Sequence, residues 1–175
     1  MIHEVIPLIA ADLNDFLESR FDTDADPVIL SNLVNQDGTL AIKEENKVIV
    51  TLVNVERDGS NQMFGSGLAR GDMPIHINLY VMFASYFANY LESLKFLSGV
   101  IGFFQANPNY IHDGNTIRIE LYNPDFKEVS NVWSATGAKY LPSVIFKFRT
   151  LNMDEDRIND EIPPIGGELS NEDYY

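Results

Sequence analysis

The segment Pro74-Ile75-His76-Ile77-Asn78-Leu79-Tyr80-Val81-Met82-Phe83, followed by Tyr86 to Gln105, decides how this chain is read. Its first ten residues alternate. Ile75, Ile77, Leu79, Val81 and Phe83 share one face, and His76, Asn78, Tyr80 and Met82 the other, the period of a strand. From Tyr86 the period changes to that of a helix, with Phe87, Tyr90, Leu91, Leu94, Leu97, Ile101 and Phe104 as the apolar stripe. Phe96, Val100 and Phe103 lie outside that stripe, so this helix is hydrophobic over most of its circumference and is expected to be covered on more than one side. A membrane span needs about 20 predominantly apolar residues. Ile77 to Leu91 carries no charge but is too short and includes Asn78, Ser85 and Asn89, so a strand followed by a helix is expected in place of a span.

Working outward, residues 2–20 form an amphipathic pattern, with Ile2, Val5, Ile6, Ile9, Leu13, Phe16 and Leu17 opposite Asp12, Asp15 and Glu18. Pro7 sits near the start, where a missing N–H costs least. Val28 to Val34 is a short apolar run, strand or irregular, closed by Asn35-Gln36-Asp37-Gly38. Lys47 to Glu56 is apolar on both faces, as a strand central in a sheet would be. Asn107-Pro108-Asn109 stops the long helix, and Asp113-Gly114-Asn115 turns into a strand over 116–122. A short helix over 126–135 carries Trp133, and 143–150 is the last strand. These elements predict an α+β domain over 1–152, with a mostly antiparallel or mixed four-stranded sheet and helices packed on one face. Residues 153–175 read as a flexible acidic tail.

Charge narrows the function. The chain carries 12 Lys and Arg against 26 Asp and Glu, a net −14. From Asp154 to Tyr175 eight carboxylates face one Arg157, so half of that charge is local. Nucleic acid is excluded as a partner, because phosphate binding needs clustered cations. The same balance argues against an anionic membrane surface. Glu4, with no basic residue ahead of the first apolar positions, predicts no signal peptide. The absence of cysteine excludes a disulfide framework or a thiolate metal site and fits cytoplasmic folding.

No set of residues converges on catalysis. His3, His76 and His112 are far apart in sequence, and none has a partner at helical spacing. His112-Asp113 offers two metal donors but reads as a turn before a strand. Ser66, His76 and Asp72 could be drawn as a triad, yet no G-x-S-x-G elbow supports it. Gly65-Ser66-Gly67-Leu68-Ala69-Arg70-Gly71 lacks the G-K-[ST] ending of a phosphate cradle and precedes a strand, so it reads as a mobile loop. Trp133, Tyr140 and Pro142 form either a core corner or an aromatic binding platform. The acidic tail is either a solvated end or an element that docks in a basic groove or adds a strand to a partner's sheet.

Taken in order, the strand at 74–83, the helix segment Leu94-Lys95-Phe96-Leu97-Ser98-Gly99 ending before Pro108, and Trp133-Ser134-Ala135-Thr136-Gly137 with Tyr140-Leu141-Pro142-Ser143 form a pattern. That pattern resembles the N-terminal domain of the cap proteins, or tail terminators, of phage-tail-like contractile injection systems. Leu13-Asn14-Asp15-Phe16-Leu17 fits as well, and the resemblance spans about 1–152. Where the family often has Leu-Gly, this chain has Leu97-Ser98-Gly99. The matched positions Leu79, Tyr80, Leu97, Pro108, Trp133, Pro142 and Ser143 are expected to be structural.

The resemblance implies a non-enzymatic structural protein with no cofactor and no metal. It implies a ring, a homohexamer, on the end of the inner tube and sheath, ending their polymerisation. Its partners would be itself and the tube and sheath subunits. It would occupy the bacterial cytoplasm during assembly and the particle thereafter. Interface candidates are Gly65, Ser66, Gly67 and Arg70 of the loop, Phe96, Val100 and Phe103 of the long helix, and Asp154, Glu155 and Asp156 of the tail. The competing readings are another adaptor of the same particle, for tube completion or the baseplate, and a small-ligand or peptide-binding module with a pocket between sheet and helix.

Overall fold

The computed structural model describes residues 2–23, 26–59 and 76–152. In chain order the elements are α1 (Ile2–Phe21), β1 (Val28–Leu30), β2 (Lys47–Arg57), β3 (His76–Tyr86), α2 (Tyr90–Ala106), β4 (Asn109–His112), β5 (Asn115–Tyr122), α3 (Phe126–Thr136) and β6 (Ser143–Asn152). One sheet of six strands runs β1-β2-β3-β6-β5-β4. β1 pairs with β2 in parallel and the other described pairings are antiparallel, so the sheet is mixed.

The four strands expected from sequence are all present, and two short ones join them at the edges. β1 and β4 have three and four residues. Such stretches carry too few positions for a period of two to register. β4 exists because Asp113 and Gly114 both adopt positive φ, 47° and 76°. That conformation closes a two-residue hairpin onto β5. β2 is second from the edge. Val48, Ile49 and Val50 are buried where β1 covers them, and exposure rises towards Arg57 beyond Leu30.

Helices cover both faces, which corrects the expected one-sided packing. On one face α1 and α2 bury Val5, Leu13, Leu17, Val100 and Phe104 against Val50, Leu79, Phe83, Ile117 and Phe148. On the other, Trp133 of α3 packs with Leu33, Ile42, Ile49, Met82 and Ile145. The physical reason lies in β3, where Leu79 to Phe83 alternate faces yet Met82 is as buried as Val81. Both faces are dry at the sheet's centre, and a second layer must close the far side.

α2 begins at Tyr90, four residues later than the period suggested, because Asn89 caps it by accepting a hydrogen bond from the Leu91 N–H at 2.8 Å. Ser93 and Ser85 exchange hydrogen bonds with each other's backbone carbonyls at 2.9 and 2.8 Å, which pins the helix start to the end of β3. Gly99 then lets α2 approach α1 closely. A Cβ there would lie 2.7 Å from Leu17 Cδ2 and 2.9 Å from the Phe21 ring. Leu17 is itself fully buried and has little room to give. Gly99→Leu is therefore expected to cost about 1–3 kcal/mol through overpacking, read as a lower urea midpoint with an unchanged slope.

Candidate functional site

α2 divides into two faces. Ser93, Phe96, Gly99, Val100, Phe103 and Phe104 are buried. Tyr90, Leu91, Leu94, Ser98, Ile101 and Gln105 fall within about 100° of one another around the helix axis and are exposed. Leu91 is 74% exposed and Tyr90 65%. The surplus apolar surface expected on this helix is there, but on the side opposite the one assigned. Phe96, Val100 and Phe103 face inward, correcting their placement as interface candidates. Phe96 stacks on Phe87 at 4.5 Å and Phe103 meets Phe16 at 5.3 Å. Periodicity could not choose between two apolar faces. Ser93 and Gly99 could have, since the small residues lie on the side that packs closest.

The second surface lies around α3. Asp125 and Glu128 form a capping box, the Asp125 carboxylate accepting from the Glu128 N–H and the Glu128 carboxylate from the Asp125 N–H. Gly137 ends the helix in the left-handed region, φ 69°. Between α3 and the sheet lies a cleft of about 330 Å³ whose charged lining residues are Glu56 and Glu128. The Tyr80 and Tyr122 rings meet edge to face at 4.9 Å within it. Tyr80 Oη donates to Glu56 Oε2 at 2.6 Å, and Lys147 Nζ pairs with the same oxygen at 3.2 Å. These contacts, Tyr80's foremost, hold the Glu56 carboxyl below its usual pKa. Partial burial and the nearby Glu128 carboxylate push the Tyr122 hydroxyl up.

Across α3 a neighbouring cavity of about 380 Å³ shares Tyr122, Pro124, Val132 and Ile145 with the first. Phe126 and Tyr140 stand at its rim, 96% and 67% exposed. Trp133 is core and Tyr140 is surface, their rings 5.4 Å apart. Trp133 thus takes the core-corner position of the two expected readings.

Other expected site residues fall as follows. Leu79 is buried, Tyr80, Leu97, Pro142 and Ser143 are half-buried, and Pro108 is exposed just after α2. Gly65, Ser66, Gly67, Arg70, Asp154, Glu155 and Asp156 lie outside the described residues. The fold adds Glu4 to His112 and Asp113, which sequence spacing could not foresee. His112 Nε2 is 3.6 Å from Glu4 Oε2 and 3.4 Å from Asp113 Oδ2. The three could together offer donor atoms to a metal ion. Glu4 and Asp113 are exposed, and the contacts of His112 with both place α1 beside the β4–β5 hairpin. Among the described residues no helix is long and apolar enough to cross a membrane.

Comparison with known proteins adds two findings. The family model described as the Pvc16 N-terminal domain matches residues 8–166. By structure the chain is similar to the sheath/tube terminator, in its extended state, of an extracellular contractile injection system, PVC, solved by cryo-EM. The TM-score is 0.55 and the identity 14%, over 94% of this chain and 63% of that one. At that identity the likeness concerns the fold, and the chain spans less than two thirds of the length of the protein it resembles. No curated protein matches by sequence.

Proposed function

The chain belongs to the Pvc16 N-terminal domain family, and on that footing we propose that it is a sheath/tube terminator, the structural cap of a contractile injection system. The observation that carries this reading is the extent of agreement. The family match runs through nearly the whole described fold, and the same fold is that of a solved sheath/tube terminator. The protein acts by assembly, without catalysis. It closes into a ring of six copies on the end of the inner tube and sheath and stops their growth.

The exposed apolar face of α2 supports this role. Tyr90, Leu91, Leu94 and Ile101 form a stripe that a monomer leaves in water. A ring needs one such surface to meet a different surface on the next copy, a heterologous contact that rotation can close. In this reading the segment around Gly65, Ser66, Gly67 and Arg70 and the acidic segment beginning Asp154-Glu155-Asp156 reach the tube and sheath subunits. The protein is made in the bacterial cytoplasm and becomes part of the particle.

The deciding experiment is to make particles without this protein and measure their lengths by negative-stain microscopy. Runaway or ragged tails are expected. A length distribution identical to that of complete particles would overturn the terminator reading. For the tail, removal of 154–175 is expected to reduce co-assembly with purified sheath and tube subunits. Undiminished co-assembly would remove the acidic segment from the contact.

A further inference from the structure

We propose that Glu4, His112 and Asp113 form a binding site for a divalent transition-metal ion of the zinc class, which fastens the first turn of α1 to the β4–β5 hairpin. The site stands apart from the assembly role and does not rest on the terminator reading. His112 Nε2 lies 3.6 Å from Glu4 Oε2 and 3.4 Å from Asp113 Oδ2. Each of the three side chains offers one donor atom, and these atoms lie within 4.8 Å of one another. Zinc bonds of about 2.1 Å at tetrahedral angles put neighbouring donors about 3.4 Å apart, close to both distances. The observation that asks for a ligand is His112 Nε2 itself. This nitrogen is buried, its side chain is 17% exposed, and it makes no hydrogen bond among the described residues. Two carboxylates therefore flank the nitrogen without satisfying it, and a buried polar atom left so is costly. An ion held among the three donors satisfies the nitrogen and engages both carboxylates.

The backbone holds the donors in place. His112 ends β4, and Asp113 opens the tight turn in which it and Gly114 both have positive φ. α1 is docked on the same strand by Tyr110 Oη, which donates to Asp12 Oδ2 at 2.5 Å. The approach of Glu4 to His112 thus follows from the packing of two elements. Side-chain type selects the ion. One imidazole with two carboxylates suits zinc and its neighbours, whereas calcium takes about six to eight oxygens and magnesium keeps most of its waters. Glu4 has further neighbours. The N-terminal amine foremost, then His112 and His3, hold its carboxyl below the usual range, and His3 Nε2 is 3.6 Å from Oε1. A carboxylate has two oxygens with several lone pairs, so Oε2 can bind an ion while these contacts persist. Glu4 and Asp113 are exposed, so the remaining coordination position opens to solvent and takes a water.

The test uses the full chain, treated with a chelator and then titrated with zinc chloride by calorimetry. A saturable step of one zinc per chain is expected, with no such step for calcium or magnesium chloride. Glu4→Gln and Asp113→Asn are each expected to weaken zinc binding at least about tenfold, and the double variant to abolish the step. Both positions are exposed, and asparagine tolerates the left-handed conformation at 113, so the fold persists, which circular dichroism checks. Imidazole resonances followed by NMR read the ligand directly: zinc is expected to shift Nε2 of His112 and to leave His76 in place. Zinc is also expected to raise the melting temperature of the wild-type chain and not that of the double variant. The double variant removes two of 26 acidic side chains, so diffuse attraction to an acidic surface would leave its zinc response nearly unchanged. That result, an equal response to calcium, or zinc binding that leaves the His112 resonances unmoved would each overturn the site. So would the lack of a saturable step in the wild-type chain.

Discussion

Phe104→Ala is expected to lower the stability of this protein by about 3–5 kcal/mol, the range for truncating a buried aromatic. Phe104 is almost fully buried, and its ring lies 5.0 Å from Phe83, 4.4 Å from Phe146 and 6.1 Å from Phe148. It also meets Phe103 edge to face at 5.1 Å. One side chain therefore ties the last turn of α2 to both central strands, β3 and β6. The surrounding rings are themselves locked, so the cavity left behind closes only in part, and dispersion contacts are lost with the transfer energy. A urea titration followed by circular dichroism checks this. A loss below about 1 kcal/mol would mean that α2 docks through other contacts and that the aromatic cluster is not what holds the helix to the sheet.

Tyr90→Glu together with Leu91→Glu has the opposite signature: an intact monomer that no longer assembles. Both side chains are largely exposed in the first turn of α2, so their removal costs the monomer little, within about 0.5 kcal/mol. Carboxylates there also complement the positive end of the helix, and the Asn89 cap is untouched. If the stripe is a contact between copies, each side chain buried there contributes about 1.5–3 kcal/mol. Replacing two of them with charge then weakens association by at least about a hundredfold. Sedimentation at several concentrations separates the outcomes. A multimer that persists unchanged, with its melting curve unaltered, would sink the role given to α2's outer face.

The sequence carried the change of period between β3 and α2, but it set the helix start at Tyr86, whereas Asn89 caps it so that it begins at Tyr90. The short helix carrying Trp133 was legible too, whereas its Asp125–Glu128 capping box and the left-handed stop at Gly137 show only in the structure. Strand ends, the two edge strands and the second helical layer were less legible. The bulge in β2 between Leu52 and Asn54 illustrates why. It shifts the register by one residue, so that Asn54 and Glu56 join the Tyr80 face while Val55 pairs with Leu79 on the opposite face. Glu56 reaches Tyr80 and Lys147 only because of that slip.

What the sequence determined by itself is therefore local: element type, turn chemistry and the alternation of β3. Those follow from backbone sterics and from periods spanning a few residues. Tertiary structure alone decided which face of α2 is core, and that Trp133 closes a second core on the far side of the sheet. It also brought Glu4 to His112 and Glu56 to Glu128. Each of these depends on packing between residues distant in the chain, where volume, close approach and register choose among surfaces that look equally apolar or equally charged along the sequence.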